Sequence, residues 1–449
     1  FDNSTALNAS LVTDDQRAGL YIFGQNRHRS AYDHDGDGYS EIPKLHGQTI
    51  GFRSFLKTTT YSKLTFEYHH MEEFRRGGDL LNRPPHEANV AEQTEHSING
   101  GGLKFDYFSP NENHRFNVFA SAQHINRDSY YGPGDRDPLD AYGNTTDLNW
   151  MAGSQYVYSF GKCIFMPSDL TAGIEFNQDK LEDNMWGYNR TVDQKVNIGS
   201  AFLQNEWKND HWGFLIGGRL DKHNLIDHVI FSPRANLRYN PTENINLRFS
   251  YSSGFRAPQA FDEDLHVENV GGNVAMVELA DNLKEERSQS LSASADIYHR
   301  FGAFQVNFLV EGFYTKLSDV FALTDGEVVD GILTRTRHNA SGAQVLGLTL
   351  EGKMAYLNKI QVQAGVTLQQ SHYSKPHIWN KEAPAVKKMM RTPNTYGYFT
   401  ATYTPIKPLS IALSGTYTGS MLVPHEPVPG FLENPITVNT KDFFDIGLK

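Results

Sequence analysis

Apolar and polar side chains alternate one for one along most of this chain. From Ile360 to Ser371, Ile360, Val362, Ala364, Val366 and Leu368 fall on one side, with Gln361, Gln363, Gly365, Thr367 and Gln369 on the other. From Ser288 to Arg300, Leu291, Ala293, Ala295 and Ile297 oppose Ser290, Ser292, Ser294 and Asp296, and Leu409, Ile411 and Leu413 oppose Ser410 and Ser414. A period of two places successive side chains on opposite faces of an extended strand. Counting such runs yields about nineteen strand candidates of roughly 8 to 17 residues, and no amphipathic helix. The predicted fold class is all-β.

Tight turns join the runs in pairs. Ser4 to Val12 pairs with Ala18 to Arg29, Gln48 to Thr59 with Lys63 to Arg75, and Glu95 to Phe108 with Arg115 to Ser129. Leu148 to Phe160 then pairs with Leu170 to Lys180, Val196 to Trp207 with Trp212 to Lys222, and Pro233 to Tyr239 with Ile245 to Ser253. Ser288 to Arg300 meets Phe304 to Leu323, Ala343 to Ala355 meets Ile360 to Ser371, Tyr396 to Tyr403 meets Leu409 to Thr418, and Phe443 begins one more. Between the pairs lie long segments: Ser30 to Leu45, Gly77 to Ala91, Tyr130 to Thr146, Glu182 to Asp193, the stretch opened by Gly254, Thr324 to Ser341, His372 to Pro393 and Gly419 to Lys441. Short turns on one side and long loops on the other are the habit of outer-membrane barrels. One face per strand must meet lipid and the other a wet lumen, which predicts an antiparallel transmembrane β-barrel of large bore. Trp150, Trp207, Trp212, Tyr239 and Tyr403 lie where interfacial girdles are expected.

Composition narrows this further. The 449 residues carry 41 basic and 52 acidic side chains, a net charge of −11, which argues against nucleic acid as a partner. Hydrophobic residues make up 39% and the mean hydropathy is −0.51, too polar for a bundle of membrane helices. The single cysteine, Cys163, excludes an internal disulfide. No Ser-His-Asp arrangement, P-loop or zinc-hydrolase motif is present, so the chain is not read as an enzyme.

One stretch carries a more specific signal. An alternating strand ends at Gly254-Phe255-Arg256-Ala257-Pro258, where Pro258 has no N–H to pair, and the chain returns through Asn282-Leu283-Lys284-Glu285-Glu286-Arg287-Ser288. Phe255, Arg256, Ala257 and Pro258 resemble the first conserved box of TonB-dependent outer-membrane receptors. Asn282, Leu283, Lys284 and Glu286 resemble their second box, with Ala280, Asp281 and Glu285 departing from its pattern. The resemblance implies a barrel of about 22 strands with a plugged lumen, of which some nineteen are present here. No plug domain, signal peptide or TonB-contacting segment is found in residues 1–449, so the chain reads as a partial barrel truncated at both ends. The implied setting is the outer membrane of a Gram-negative bacterium, with TonB and outer-membrane lipid as partners.

Three groups of candidate site residues follow. Asp33, Asp35, Asp37 and Glu41 place carboxylates at alternate positions of an Asp/Gly-rich loop, a pattern suited to a hard cation such as calcium, although Lys44 stands where an EF-hand would place its last ligand. The stretch also resembles the calcium loop of cobalamin transporters in the same family; the alternative is a hydrophilic turn. His266, between the two boxes, matches a position at which the family's haem receptors can ligate iron. Tyr130, Tyr131, Trp186, Tyr188 and Trp379 fall in the expected external loops, where aromatic rings either grip a large flat ligand or pack on one another. The family implies active import of a scarce metal chelate: a cobalamin-type corrinoid, a ferric siderophore or haem. Uptake of glycans or peptides with a surface lipoprotein, and passive diffusion through a porin, are the rival readings.

Overall fold

The structure, a computed structural model, describes residues 1–133, 142–261, 265, 268–270, 273–329, 332–380, 382–425 and 432–449. Its strands are β1 (Asp2–Val12), β2 (Ala18–Arg29), β3 (Ser40–Thr59), β4 (Ser62–Gly78), β5 (Val90–Phe108), β6 (His114–Pro133), β7 (Tyr142–Cys163), β8 (Met166–Met185), β9 (Arg190–Lys208), β10 (Trp212–His223), β11 (Ile230–Thr242) and β12 (Ile245–Arg256). There follow β13 (Glu268–Val270), β14 (Asn273–Leu279), β15 (Glu286–Phe301), β16 (Phe304–Ser318), β17 (Phe321–Val329), β18 (Ile332–Asn339), β19 (Ala343–Tyr356) and β20 (Ile360–His377). The last are β21 (Val386–Lys388), β22 (Thr395–Ile406), β23 (Leu409–Thr418), β24 (Leu422–His425), β25 (Ile436–Asn439) and β26 (Phe443–Leu448).

Among the described residues, one sheet of twenty strands forms the wall. The three-residue β21 is a stub laid against β20, so nineteen strands carry it. Each pairs antiparallel with the next in an unbroken series from β1 to β12, then β15, β16, β19, β20, β22, β23 and β26. Every hairpin expected from the alternation is present. The outward face is apolar and bare: Ile50, Ile174, Leu203, Ile216, Phe249 and Leu368 are all exposed, as lipid-facing residues must be. The concave face carries hydroxyls and amides, with Ser290 Oγ 2.9 Å from Thr315 Oγ1 and Thr349 Oγ1 3.0 Å from Thr367 Oγ1. Aromatic rings there lie across from glycines: Phe55 from Gly19, Phe23 from Gly51, Phe119 from Gly153, Phe202 from Gly173 and Phe313 from Gly347. Each ring fills the space that a Cβ on the glycine would need, which pins the strand register. Trp207 stacks on Phe165 and Trp212 on Tyr239 next to the short turns, so these rings form a girdle at that end.

Three expectations need correction. Strands β3 to β9 run to between 17 and 22 residues, about twice the 9–11 a tilted strand needs to cross a bilayer. Much of the segments expected as loops, such as Tyr130 to Thr146 and Glu182 to Asp193, is therefore strand standing beyond the membrane. The strand expected from Phe304 to Leu323 stops at Ser318, because Asp319 takes φ 54 and turns the chain out of the wall. The stretch after Gly254 and the segment Thr324 to Ser341 are not irregular either. They supply β13, β14, β17 and β18, a separate four-stranded sheet in which β14 and β18 run parallel.

Candidate functional site

The long-connection end of the barrel is where buried charge collects. On the tall side, inward-pointing residues paired across three strands form one network: Arg127 Nε donates to Thr145 Oγ1 (3.1 Å), Thr145 Oγ1 donates to Asp183 Oδ1 (2.6 Å), and Arg127 Nη2 lies 3.7 Å from Asp183. Asp183 is 0% exposed and Arg127 7%. At the end of β4, Arg76 is 2% exposed and donates to the carbonyls of Gly77 and Asp79. Gly78, at φ +97, lies so close to the Val90 carbonyl that no Cβ fits there. Burial pulls the Arg76 guanidinium below its usual pKa and pushes the Tyr130 phenol above its own.

Tyr130 and Tyr131 lie on β6 rather than in a loop, and both are buried. They pack with Ala88, Ala91, Met185 and Tyr188, and Tyr188 Oη donates to the Tyr131 carbonyl. Met276 of β14 joins this cluster, with Ile332 of β18 against it. The sheet built from the β12–β15 and β16–β19 connections thus reaches across to the tops of β5, β6 and β8. These tyrosines anchor that sheet; they are not free rings awaiting a ligand. Trp379 is also buried, at 8%, whereas Trp186 is 61% exposed.

The two boxes meet on the opposite, lower side. Phe255 and Arg256 at the end of β12 pair with Arg287 and Glu286 at the start of β15. The Arg256 guanidinium lies 3.9 Å from the ring centre of Phe261 and 5.6 Å from that of Phe321, while Arg337 approaches the same rings at 6.0 and 5.9 Å. Glu286 accepts the Phe321 N–H (2.9 Å), and the Asn339 side chain brackets Lys284, accepting its N–H and donating to its carbonyl. Asn282 is exposed, and Leu283 N–H closes a turn onto the Ala280 carbonyl. Burial alone would raise the Glu285 pKa, but the Arg287 guanidinium, with a backbone hydrogen bond and the nearby His228, more than offsets it and the carboxyl lies below its usual value. Ala257 is buried with Ile226 and Ile230, and Pro258 beside it is buried too. Gln259 meets His223, a fully buried imidazole whose Nδ1 accepts the Leu225 N–H, so Nε2 carries the proton and donates to Gln259 Oε1 (3.3 Å). Desolvation lowers the His223 pKa. His266 lies outside the described residues.

The acidic loop is a hairpin tip closed by mutual backbone hydrogen bonds between Tyr32 and Ile42. Asp33 accepts the N–H groups of Gly36 and Gly38, and Asp37 accepts that of Tyr39. The result brings one oxygen each of Asp33, Asp35, Asp37 and Glu41 within 4.8 Å of one another. Lys44, 5.9 Å from the Phe74 ring centre, is occupied elsewhere.

The TonB dependent receptor-like β-barrel family matches residues 4–432. The chain belongs to that family. TonB-dependent receptors of this kind sit in the Gram-negative outer membrane, and the chain is placed there with them. No curated protein matches it in sequence. Among solved structures it is similar to the siderophore receptor PirA of Acinetobacter baumannii, at 14% identity and TM-score 0.77 over 100% of this chain and 71% of that one. It is also similar to the ferric-catecholate import receptor Fiu of Escherichia coli K12 (11%, TM-score 0.73, 100% and 73%) and to the FrpB iron transporter of Neisseria meningitidis (14%, 0.71, 100% and 72%). At such identities the likeness speaks for the fold alone.

Several residues that build the mouth of this TonB-dependent receptor carry no sequence signal of their own. Asp183, Arg127, His223 and Arg337 lie outside any motif: register brings Asp183 to Arg127, while His223 meets Gln259 and Arg337 meets Phe261 only through the folding of the connections. A faint cue was available: charged residues crowd the ends of β4 (Glu72, Glu73, Arg75, Arg76) and β8 (Asp179, Lys180, Glu182, Asp183) beyond the apolar runs, marking where the strands leave the membrane.

Proposed function

We propose that this receptor imports a ferric siderophore across the outer membrane, with TonB acting through a plug in the lumen. The carrying observation is that the mouth is built over: two connections fold into a sheet of their own and dock on the far rim through Met276. A passive porin has no use for such a roof, whereas a receptor must seize a dilute solute before passing it on. The siderophore and iron receptors that share the fold support the same class. Cells of a Gram-negative host lacking its own siderophore receptors, but carrying this one, should accumulate labelled iron from a ferric-catecholate panel only when TonB is present. Accumulation of corrinoid or haem instead, or TonB-independent diffusion of small sugars, overturns the reading.

A second reading rests on the acidic hairpin, which we propose holds calcium. Four converging carboxylates repel one another unless a cation sits among them, and a flexible oxygen set suits calcium better than magnesium. Its affinity alone should be on the order of 10⁻⁴ to 10⁻³ M, as in extracellular modules. Calorimetry of the chain against its double variant Asp35→Asn, Asp37→Asn decides it: identical calcium uptake makes the hairpin a solvated turn. Calcium-dependent binding of a corrinoid would move the substrate towards the cobalamin class.

A further inference from the structure

We propose that a trough down the concave wall, from β10 to β15, is the path along which an anionic solute descends from the mouth to the short-turn end; the proposal rests on the import reading and assigns its route. Two lumenal rings bound the trough and lean away from it. Phe202 of β9 lies over Gly173 of β8, and Phe313 of β16 over Gly347 of β19. Between them no Phe, Tyr or Trp stands on the concave face of β10, β11 or β12, or of β15 from Ser288 to Asp296. Where β12 meets β15 the floor is made of small residues, with Ser250 facing Ser292, Ser252 facing Ser290 and Gly254 facing Ser288. Side chains this short leave depth for a solute, and their hydroxyls both donate to and accept from a polar group in passing.

The charge on the floor fixes the sign of the solute. Elsewhere on the concave face guanidiniums stand beside carboxylates: Arg53 by Glu67, Arg115 by Asp169, and Arg219 by both Glu175 and Asp221. Arg234, Arg238 and Arg248 form no ion pair among the described residues. Arg238 Nη2 donates to the Asn209 carbonyl (2.8 Å) and Arg248 Nε to Asn246 Oδ1 (2.7 Å), both neutral oxygens. Arg238 and Arg248 face each other across β11 and β12, and like charges so placed repel. Asp296, diagonal to Arg248 in the register, is taken up by Tyr298 and Asn307. An anion over the two arginines relieves the repulsion. Lys57 and Lys63, a second facing pair of cations, sit instead at the β3–β4 turn, with Lys63 over the Phe55 ring.

The guanidiniums also come at equal steps. Rising along β12 from the short-turn end, the Arg238–Arg248 pair comes first, Arg234 follows opposite Ser252, and Arg256 closes the series at the mouth. Four residues of strand, about 13 Å, separate successive rungs, so long side chains can pass one anion from each to the next. On the far border Glu311 faces Ser294 and turns an anion back toward the arginines. A segment packed permanently on the wall has no use for equal steps, whereas a solute in motion does.

Thiol labelling in energised cells tests the path without knowledge of the cargo. With Cys163→Ser as background, Ser252→Cys and Ser290→Cys are treated with a small negative methanethiosulfonate and with its positive counterpart, at equal amounts of receptor in the outer membrane. Relative to their rates with a free thiol, the negative reagent should react about tenfold faster than the positive one. Adding Arg234→Gln, Arg238→Gln and Arg248→Gln should abolish the preference, and lysine at the same three positions should keep it. Ser121→Cys on β6, outside the trough, should show none. Equal rates for the two reagents at Ser252→Cys and Ser290→Cys overturn the path, as does the same preference at Ser121→Cys. Protection of both thiols from both reagents overturns it too, because a fixed segment then fills the trough. Uptake of a ferric tris-catecholate separates this proposal from the reading it rests on. Ser252→Phe combined with Ser290→Phe should abolish uptake while surface binding stays at the wild-type level, and Ser121→Phe should change neither. A receptor that takes up no catecholate yet keeps the labelling preference sinks the ferric-siderophore reading and leaves the anion path standing; unchanged uptake through the filled trough sinks the path alone.

Discussion

The tall and low rims of this barrel are fastened by different means. On the tall side, β5 to β9 continue past the membrane, so Arg127, Thr145 and Asp183 are held by the same ladder that builds the wall. On the low side, β10, β11 and β12 end after 12, 13 and 12 residues, and the rim is made of connections. There Arg256 and Arg337 are held by two phenylalanine rings, Lys284 by one asparagine and Gln259 by one histidine. The wall ladder opens only by losing many backbone bonds together, whereas the separate four-stranded sheet that carries Phe321, Arg337 and Asn339 is fastened to the wall by side chains that release one at a time. The difference teaches that the tall rim is the fixed jaw of the mouth and the low rim the movable one.

Four measurements can break or sharpen this contrast. The largest effect is expected from Asp183→Ala, which strands a buried guanidinium on the fixed jaw and should cost about 3–5 kcal/mol in urea unfolding from vesicles; a loss no larger than for a surface residue would mean that water already reaches the tall rim. The spanning band beneath both jaws supplies the reference. Val366→Arg on its lipid face should cost roughly 2–4 kcal/mol and Gln363→Arg on its lumenal face little, and equal costs would remove the assignment of faces on which both rims depend. Arg256→Ala, on the movable jaw, should cost only about 0.5–2 kcal/mol yet accelerate amide exchange through Phe321 to Asn339, with β6 and β7 unchanged. Faster exchange on the tall side instead would reverse the roles.

The smallest effect is one of pH. The folded His223 binds a proton less readily than the opened loop does, since its pKa lies below the usual 6.5. Its contribution is complete above 6.5 and is lost as the pH falls from there through the lowered value. The protection of the Ala257 to Phe261 amides, measured against their intrinsic exchange rates at each pH, should therefore fall on acidification, and His223→Asn should abolish the dependence; a loop equally protected on both sides of that pH would show that Gln259 is not held by the imidazole.

How much of this was legible in the sequence follows from where the chain meets lipid. Alternation such as Leu291, Ala293, Ala295 and Ile297 against serines is written wherever one face is in hydrocarbon, so the wall strands and all their hairpins could be read. Above the membrane both faces of β6 are polar or packed, and the pattern dies at Ser129 although the strand does not. Tyr130 and Tyr131 were thus expected in a loop. The break at Asp319 rests on one backbone angle, and the parallel pair β14–β18 joins segments with a whole hairpin between them; neither leaves a periodic trace. The box residues Phe255 to Pro258 stood out by resemblance, whereas their partners Phe261, Phe321 and Asn339 did not, because their roles arise from contact alone.

The parallel pairing of β14 with β18 also dictates an order of assembly. Val274 to Leu279 and Ile332 to Arg337 are separated in the chain by the whole β15–β16 hairpin, and Met276 cannot settle among Tyr130 and Met185 until β6 to β8 are in place. Contacts between segments so distant in the chain form late. The roof of the mouth is consequently the last part of the receptor to close, after the wall strands that it spans have paired.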